Sequence, residues 1–148
     1  MTNDFYVVAL EHCNVYTKGP LTTWSAGSEF GGGRTGPPPG MTTQRYVYAF
    51  NPFNQATCAQ TPCPLSLAWS YPQTVAGAMG GLLATAGGLV FVAGGSGALS
   101  ALDASTGGLL WTYNGSNVSW KSSPITYQIN GKQYIALARY NSVAVFGL

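Results

Sequence analysis

The sequence carries very little charge. Only 7% of its 148 residues are Asp, Glu, Lys or Arg, and the formal net charge is +2. Six scattered basic residues are too few to form the patch that follows a phosphate backbone, so nucleic acid is excluded as an expected partner. A solvent-exposed helix face needs more charged residues than this sequence has. The composition therefore favours an all-β chain.

Long apolar runs and an export signal are also missing. No apolar stretch approaches the roughly 18 to 20 residues that a membrane-spanning helix needs, so we expect no membrane span. The first residues, MTNDFYVVALEHC, lack the basic start, apolar centre and small-residue cleavage site of a signal peptide. We therefore expect no signal peptide in this chain.

Groups that bind metals or act as nucleophiles are scarce. The acidic residues are Asp4, Glu11, Glu29 and Asp103. Calcium prefers roughly six or more oxygen ligands, and these carboxylates offer no close pair, so no metal site is expected. His12 and Cys13 are sequence neighbours, which face opposite sides of a strand, so a Cys–His nucleophile is not expected either. No catalytic residue is predicted in this chain.

Cysteine is scarce as well, at three residues. Cys58 and Cys63 do not form a C-x-x-C redox motif, and no second Cys/His pair follows them for zinc. A loop disulfide between these two residues is our hypothesis. It would suit an oxidising compartment and would leave Cys13 unpaired or matched to a cysteine outside this sequence.

Glycine and aromatic residues, in contrast, are plentiful and follow a strand-and-turn pattern. The clearest stretch is Gly80–Trp111, in which three apolar runs and a fourth that ends at Trp111 are separated by glycine pairs or small polar turns. In the last turn, Asp103 can accept backbone N–H groups, and a glycine permits the positive φ at which the chain reverses. This stretch therefore predicts a complete four-stranded unit.

Upstream residues repeat the second half of that unit. Residues 49–51 (Ala-Phe-Asn) align with 101–103 (Ala-Leu-Asp), and 69–71 (Trp-Ser-Tyr) align with 111–113 (Trp-Thr-Tyr). A period of about 40 to 50 residues made of four short strands is typical of β-propeller blades. A bulky tryptophan at the end of each outer strand can pack between adjacent blades. An ordinary β-sandwich with accidental similarity is the alternative.

A third copy lies downstream. Residues 133–137 align with residues 89–93 at an offset of 44, and residues 141–146 align with the third strand of the unit. The repeats predict ten strands, near residues 5–9, 45–50, 66–71, 81–86, 89–93, 97–102, 109–113, 122–127, 133–138 and 142–147.

The predicted fold class is all-β, a partial β-propeller of about two and a half four-stranded antiparallel blades. The first blade lacks its opening strand, the second is complete, and the third ends after three strands. Closed propellers have about four blades or more, so residues 1–148 are interpreted as part of a larger ring. Residues 11–43 are rich in Gly and Pro and show no strand or helix period, so we expect them to form an irregular insertion. Essentially no helix is expected outside this insertion.

Three segments carry a family resemblance. The pattern A-x-D-x-x-T-G-x-x-x-W at residues 101–111 is similar to the tryptophan-docking motif of the pyrroloquinoline quinone (PQQ) dependent alcohol dehydrogenases, and residues 80–91 resemble the stretch before it. Residues 124–127 and 131–136 resemble the last blade of that family. The resemblance implies an eight-bladed quinoprotein propeller, with residues 1–148 as its C-terminal blades and a periplasmic parent protein.

The resemblance also implies a cofactor contact. In the family a Trp-Gly-Gly segment lies beside the quinone, and here Met79, Gly80 and Gly81 occupy those positions, with Met79 in place of the tryptophan. The alternative for the two glycines is a blade-entry turn. The family's catalytic aspartate, calcium ligands and adjacent-cysteine disulfide match no position in this sequence. PQQ is thus the implied cofactor, and calcium belongs to the full-length family without ligands here.

The resemblance leaves two hypotheses for function. In the first, the chain is the C-terminal part of a quinoprotein dehydrogenase that oxidises alcohols with PQQ, and it is inactive alone. In the second, it is a non-catalytic propeller of the same repeat type that acts as a protein-interaction scaffold. The run of residues 80–88 favours the first. The implied partners are the remaining blades of the parent protein and, in the full-length family, a small alcohol.

Overall fold

A computed structural model describes residues 3–19, 25–28, 30–52, 65–73, 80–115, 120, 122–139 and 141–147. The chain divides into two compact units, one formed by Met1–Ala9 with Arg45–Leu148 and the other by Leu10–Gln44. Within the described residues, no helix is long and apolar enough to span a membrane.

The described part of the chain is built from strands and one short 3-10 helix at Gly95–Gly97. In chain order the strands are β1 (Phe5–Glu11), β2 (Val15–Lys18), β3 (Gly33–Gly36), β4 (Gln44–Asn51), β5 (Ser66–Pro72), β6 (Leu82–Ala84), β7 (Leu89–Ala93), β8 (Ala98–Asp103), β9 (Leu109–Asn114), β10 (Ile125–Ile129), β11 (Lys132–Arg139) and β12 (Ser142–Gly147).

Ten of these strands form three successive sheets. The first sheet has the order β1-β4-β5, the second β6-β7-β8-β9 and the third β10-β11-β12. All ten predicted strands are confirmed to within a few residues, and so is the expected distribution of three, four and three strands. In the second and third sheets, strands that are neighbours in sequence are also neighbours in space.

The two remaining strands lie in the segment that was expected to be irregular. Strands β2 and β3 pair antiparallel, from Val15 opposite Gly36 to Lys18 opposite Gly33. The expectation of no regular structure was wrong here, because every side chain of β2 is exposed and leaves no apolar alternation to recognise. A Cβ at Gly33 would overlap the Thr17 carbonyl oxygen, so the pairing depends on a glycine rather than on side-chain pattern.

The two inner strands of the second sheet, β7 and β8, are buried on both faces, whereas β9 is exposed along its length. Val90 and Val92 of β7 belong to one core cluster, which includes Val47 and Ala49 of the first sheet. Phe91 and its alternating neighbours belong to a second cluster with residues of the third sheet. Alternate residues of one strand therefore face opposite neighbours, as period-2 geometry requires. We call these two contacts the first interface and the second interface.

The clusters also correct the repeat alignment in the third sheet. Ile135 and Leu137 of β11 face the second sheet, and they correspond to Val90 and Val92, which face the first sheet. The aligned offset of 44 residues is therefore one residue too short for this strand. A one-residue shift exchanges the two faces of a strand, and apolar residues at every position of β7 hid the shift in the sequence.

The two repeated tryptophans occupy equivalent places. Trp69 pairs with Ala49 in the first sheet, and Trp111 pairs with Ala101 in the second. Each pair is followed by a register shift at the next residue of the inner strand, which is Phe50 in one sheet and Leu102 in the other. The expected equivalence is thus confirmed down to the position of the β-bulge.

Candidate functional site

Trp69 of β5 lies at the first interface, where its side chain packs against the turn between β8 and β9. Its indole Nε1 donates a hydrogen bond to the Ala104 carbonyl oxygen over 2.9 Å, and the side chain is only 8% exposed. The ring covers Gly107, where an added Cβ would lie 2.6 Å from ring atom Cε3. Gly107 also has a φ of 73°, which favours glycine. Tyr6 packs on Trp69 with ring centroids 5.7 Å apart.

Asp103 organises the same turn. Its carboxylate oxygen Oδ1 accepts the backbone N–H of Ser105 over 2.9 Å and that of Thr106 over 3.0 Å, as well as both hydroxyl groups. The Ser105 hydroxyl, followed by these backbone donors, holds the pKa of Asp103 below its ordinary value. The interpretation of Asp103 as a turn residue agrees with this geometry.

Gly80 and Gly81 immediately precede β6. The Gly80 N–H donates to the Ala93 carbonyl oxygen over 2.8 Å, and the Gly81 N–H approaches the Ser122 carbonyl oxygen at 3.4 Å. A Cβ at Gly80 would lie 2.6 Å from the Ala93 Cβ, and one at Gly81 would overlap Ser123. Glycine is therefore required because the second and third sheets meet here at main-chain distance. Met79 lies outside the described residues.

Trp120 is a residue that sequence reasoning missed. It is fully buried in the second interface, and its Nε1 has no hydrogen-bond partner in the described structure. The Arg139 guanidinium carbon lies 5.7 Å from the Trp120 ring centroid, within the range of a cation–π contact. Trp120 lies in no predicted strand and outside the tryptophan repeat, so no sequence signal distinguished it.

Trp111 borders an apolar groove of about 520 Å³ in the second interface, which we call the outer groove. The side chain is 44% exposed, and its ring meets Phe146 edge-on with centroids 5.9 Å apart. Other residues that line the outer groove are Leu89, Phe91, Leu99, Ala101, Leu110, Val145 and Gly147.

His12 and Cys13 lie in the Leu10–Gln44 unit, where both line one small pocket together with Glu11. His12 Nδ1 lies 3.2 Å from the Thr43 hydroxyl oxygen, and Cys13 is an exposed free cysteine. Among the described residues, no group of three His, Cys, Asp or Glu side chains could hold a metal ion. The predicted disulfide between Cys58 and Cys63 falls outside the described residues.

Comparison with known proteins adds a family match. A family model described as the PQQ glucose/ethanol/alcohol dehydrogenase β-propeller domain matches residues 42–135. A lupanine 17-hydroxylase [cytochrome c] from Pseudomonas sp. is 45% identical over 66 residues, which cover 44% of this chain and 9% of that protein.

Solved structures that resemble the fold include two quinohemoprotein alcohol dehydrogenases. A quinohemoprotein alcohol dehydrogenase from Pseudomonas putida HK5 is similar over 97% of this chain, with a TM-score of 0.70 and 26% identity. One from Comamonas testosteroni is similar over 69%, with a TM-score of 0.54 and 29% identity. This chain spans 21% and 13% of those two proteins, so it corresponds to a small part of each.

Proposed function

Because the chain belongs to the PQQ glucose/ethanol/alcohol dehydrogenase β-propeller family, we propose that it supplies the C-terminal blades of a quinoprotein that oxidises alcohols. The observation that carries the proposal is the complete second sheet, Leu82–Asn114, which lies wholly within the matched residues and whose inner strands contribute to a core cluster on each face. A ring of such sheets is the architecture to which the chain contributes.

The proposed cofactor contact is the main chain at Gly80 and Gly81, together with Met79. Both glycines are partly exposed, so part of their main chain is open to contact with a planar quinone. The close packing against Ser122 and Ser123 fixes the position of this backbone from the other side. The described residues therefore fit one wall of a quinone site, formed by backbone rather than by charged side chains.

Bound PQQ supplies the two-electron oxidation in such enzymes, and this chain's residues would position it. Proton transfer needs a base within about 3 Å of the alcohol hydroxyl, and calcium needs several oxygen ligands. The motif positions that carry those groups in the family have no counterpart in this sequence. We therefore propose that they come from other blades, that the chain alone is inactive, and that the parent protein is periplasmic.

The activity test is a dye-linked oxidation assay on the purified chain with PQQ, calcium and ethanol. We expect a rate equal to that of the blank without protein, because neither base nor calcium ligands are supplied. Turnover above the blank would contradict the assignment as part of a larger enzyme. Activity that appears only when the remaining blades are co-expressed would support it, whereas a stable assembly without quinone binding would favour the scaffold hypothesis.

The cofactor contact is tested by Met79→Trp, which restores the family's residue beside Gly80 and Gly81. An added aromatic stack contributes about 0.5–1.5 kcal/mol, so we expect PQQ to bind roughly two- to tenfold more tightly. Equilibrium dialysis with absorbance detection measures this. The control is Met41→Trp, at a methionine that is 53% exposed in the other compact unit. An equal gain in PQQ affinity in both variants would show that PQQ does not bind preferentially beside residue 79.

A further inference from the structure

The dipeptide Asn-Gly occurs twice in the sequence, at Asn114-Gly115 and at Asn130-Gly131. A glycine has no Cβ to obstruct its backbone nitrogen, so this nitrogen can reach the carbonyl carbon of the preceding asparagine side chain. Attack at that carbon closes a five-membered ring. It requires an asparagine side chain that is open to solvent and a glycine nitrogen that no hydrogen bond holds in place.

Asn130 and Gly131 form the turn between β10 and β11. Ile129 pairs with Lys132, so these two residues make up the whole loop. The φ of Asn130 is 50° and that of Gly131 is 79°, as in a two-residue hairpin turn of type I′. Both residues are exposed, and a Cβ added to Gly131 would meet nothing within 4 Å. The turn therefore projects into solvent.

The two groups that would react in this turn are not engaged elsewhere. Among the described residues, the Gly131 N–H and the Asn130 side-chain amide have no hydrogen-bond partner. The Gly131 carbonyl oxygen, in contrast, accepts a hydrogen bond from Gln128 Nε2 over 3.2 Å. The backbone nitrogen can therefore move toward the asparagine side chain without the loss of a hydrogen bond.

The other copy is held in place. The Gly115 N–H donates to the Gly97 carbonyl oxygen over 3.1 Å. A Cβ at Gly115 would lie 2.5 Å from that oxygen and 3.1 Å from the Tyr113 ring. Asn114 is the last residue of β9 and pairs with Ala98 of β8. Ring closure at this position would require the hydrogen bond to break and the strand end to leave the sheet.

We propose that Asn130 is a site of spontaneous deamidation in the folded chain and that Asn114 is protected. The Gly131 nitrogen loses its proton to solvent base and attacks Asn130 Cγ. A C–N bond forms, the Cγ–Nδ2 bond breaks, and the side-chain nitrogen takes up a proton and leaves as ammonia. Water then opens either C–N bond of the cyclic imide, which gives aspartate or isoaspartate. The reaction needs no quinone and is independent of the proposed function.

The isoaspartate product changes the hairpin. It places the side-chain methylene in the main chain, which lengthens a loop whose residue count fixes the pairing of β10 with β11. Strand β11 carries Ile135 and Leu137, both buried in the second interface. A distorted turn therefore weakens the sheet that covers this face of the second sheet.

The test is peptide mapping of the full chain during incubation in mildly alkaline buffer. Trypsin releases residues 122–132 as one peptide, which contains Asn130. We expect this peptide to gain about one dalton and to separate into two chromatographic peaks, for aspartate and isoaspartate. The rate should exceed that at Asn114 by about tenfold or more. A tenfold difference corresponds to about 1.4 kcal/mol of barrier, the order of one backbone hydrogen bond.

The same incubation in urea tests whether the fold selects the site. In the unfolded chain the two dipeptides should react at similar rates, because Gly115 no longer donates to Gly97. Equal rates in the folded chain, faster reaction at Asn114, or a preference for Asn130 that persists unchanged in urea would each overturn the proposal.

Urea unfolding of fresh and incubated chain measures the effect on the hairpin. The incubated wild type should unfold at lower urea. Asn130→Gln is the control, since its longer side chain would have to close a six-membered ring, and its incubated form should unfold like its fresh form. An incubated wild type that carries isoaspartate and unfolds like the fresh chain would contradict the proposed weakening of the third sheet.

Discussion

The two interfaces bury the central sheet by different means. At the first interface, the turn between β8 and β9 covers Trp69, and the indole N–H donates a hydrogen bond to the Ala104 carbonyl oxygen. At the second, the equivalent Trp111 is half exposed, and a different tryptophan, Trp120, fills the core with an indole N–H that has no partner in the described structure. Equivalent sequence positions thus acquire different burial, because burial depends on the segment that packs over a residue as well as on its strand.

The largest expected effect comes from truncation of the two equivalent tryptophans, Trp69 and Trp111. Trp69→Ala should lower the free energy of unfolding by about 3–5 kcal/mol, the usual cost of removing a buried tryptophan. Trp111→Ala should cost roughly 1 kcal/mol, since much of its surface is already in water. Urea unfolding followed by far-UV circular dichroism measures both. Equal losses would show that the two interfaces are closed to the same degree.

The covering turn at the first interface can be tested separately. Gly107→Ala should cost about 2–4 kcal/mol, because the new Cβ meets the Trp69 ring at a positive φ. Gly88→Ala is the matched control, with a φ of 79° and nothing within 4 Å of the added Cβ. The free energy of unfolding of Gly88→Ala should fall only by the cost of a left-handed backbone conformation at a non-glycine residue, about 1–2 kcal/mol. Thermal unfolding of both variants would separate ring contact from backbone strain.

A smaller effect should distinguish the two buried indoles. Trp69→Phe removes a hydrogen bond, whereas Trp120→Phe removes a donor that has no partner in the described structure. Since an unpaired buried donor itself costs about 1–3 kcal/mol, we expect Trp120→Phe to be less destabilising by about 1 kcal/mol. Chemical unfolding of the two variants side by side measures the difference. A larger loss for Trp120→Phe would indicate that its N–H is satisfied in solution.

The smallest expected effect concerns acid stability at the first interface. The pKa of Asp103 is lowered in the folded chain, chiefly by the Ser105 hydroxyl, so folding favours its carboxylate form. That contribution is present above about pH 4 and is lost as the pH falls through the lowered pKa. Thermal scans between about pH 6 and pH 2 should therefore show a shallower decline for Asp103→Asn than for the wild type. Parallel curves would contradict the proposed role of the carboxylate.

Local patterns in the sequence were sufficient for ten of the twelve described strands. Apolar runs bounded by glycine predicted β7 and β9 closely, and the repeat of Trp69 and Trp111 predicted their equivalent places. The hairpin of β2 and β3 could not be predicted in this way, because its exposed side chains carry no alternation. Gly80 and Gly81 entered the candidate site through the family resemblance alone, and that assignment stays a prediction. Their packing against the next sheet was not predicted, because it depends on Ser122 and Ser123, which are distant in sequence.

The sequence by itself determined the three, four and three strands and the turn at Asp103, because these depend on residues close together in the chain. Only the tertiary structure decided which faces meet. It placed Ile135 opposite the second sheet, buried Trp120 and left Trp111 beside an open groove. Side-chain alternation predicts that a strand has two faces. Which sheet packs on each face depends on contacts between residues distant in sequence.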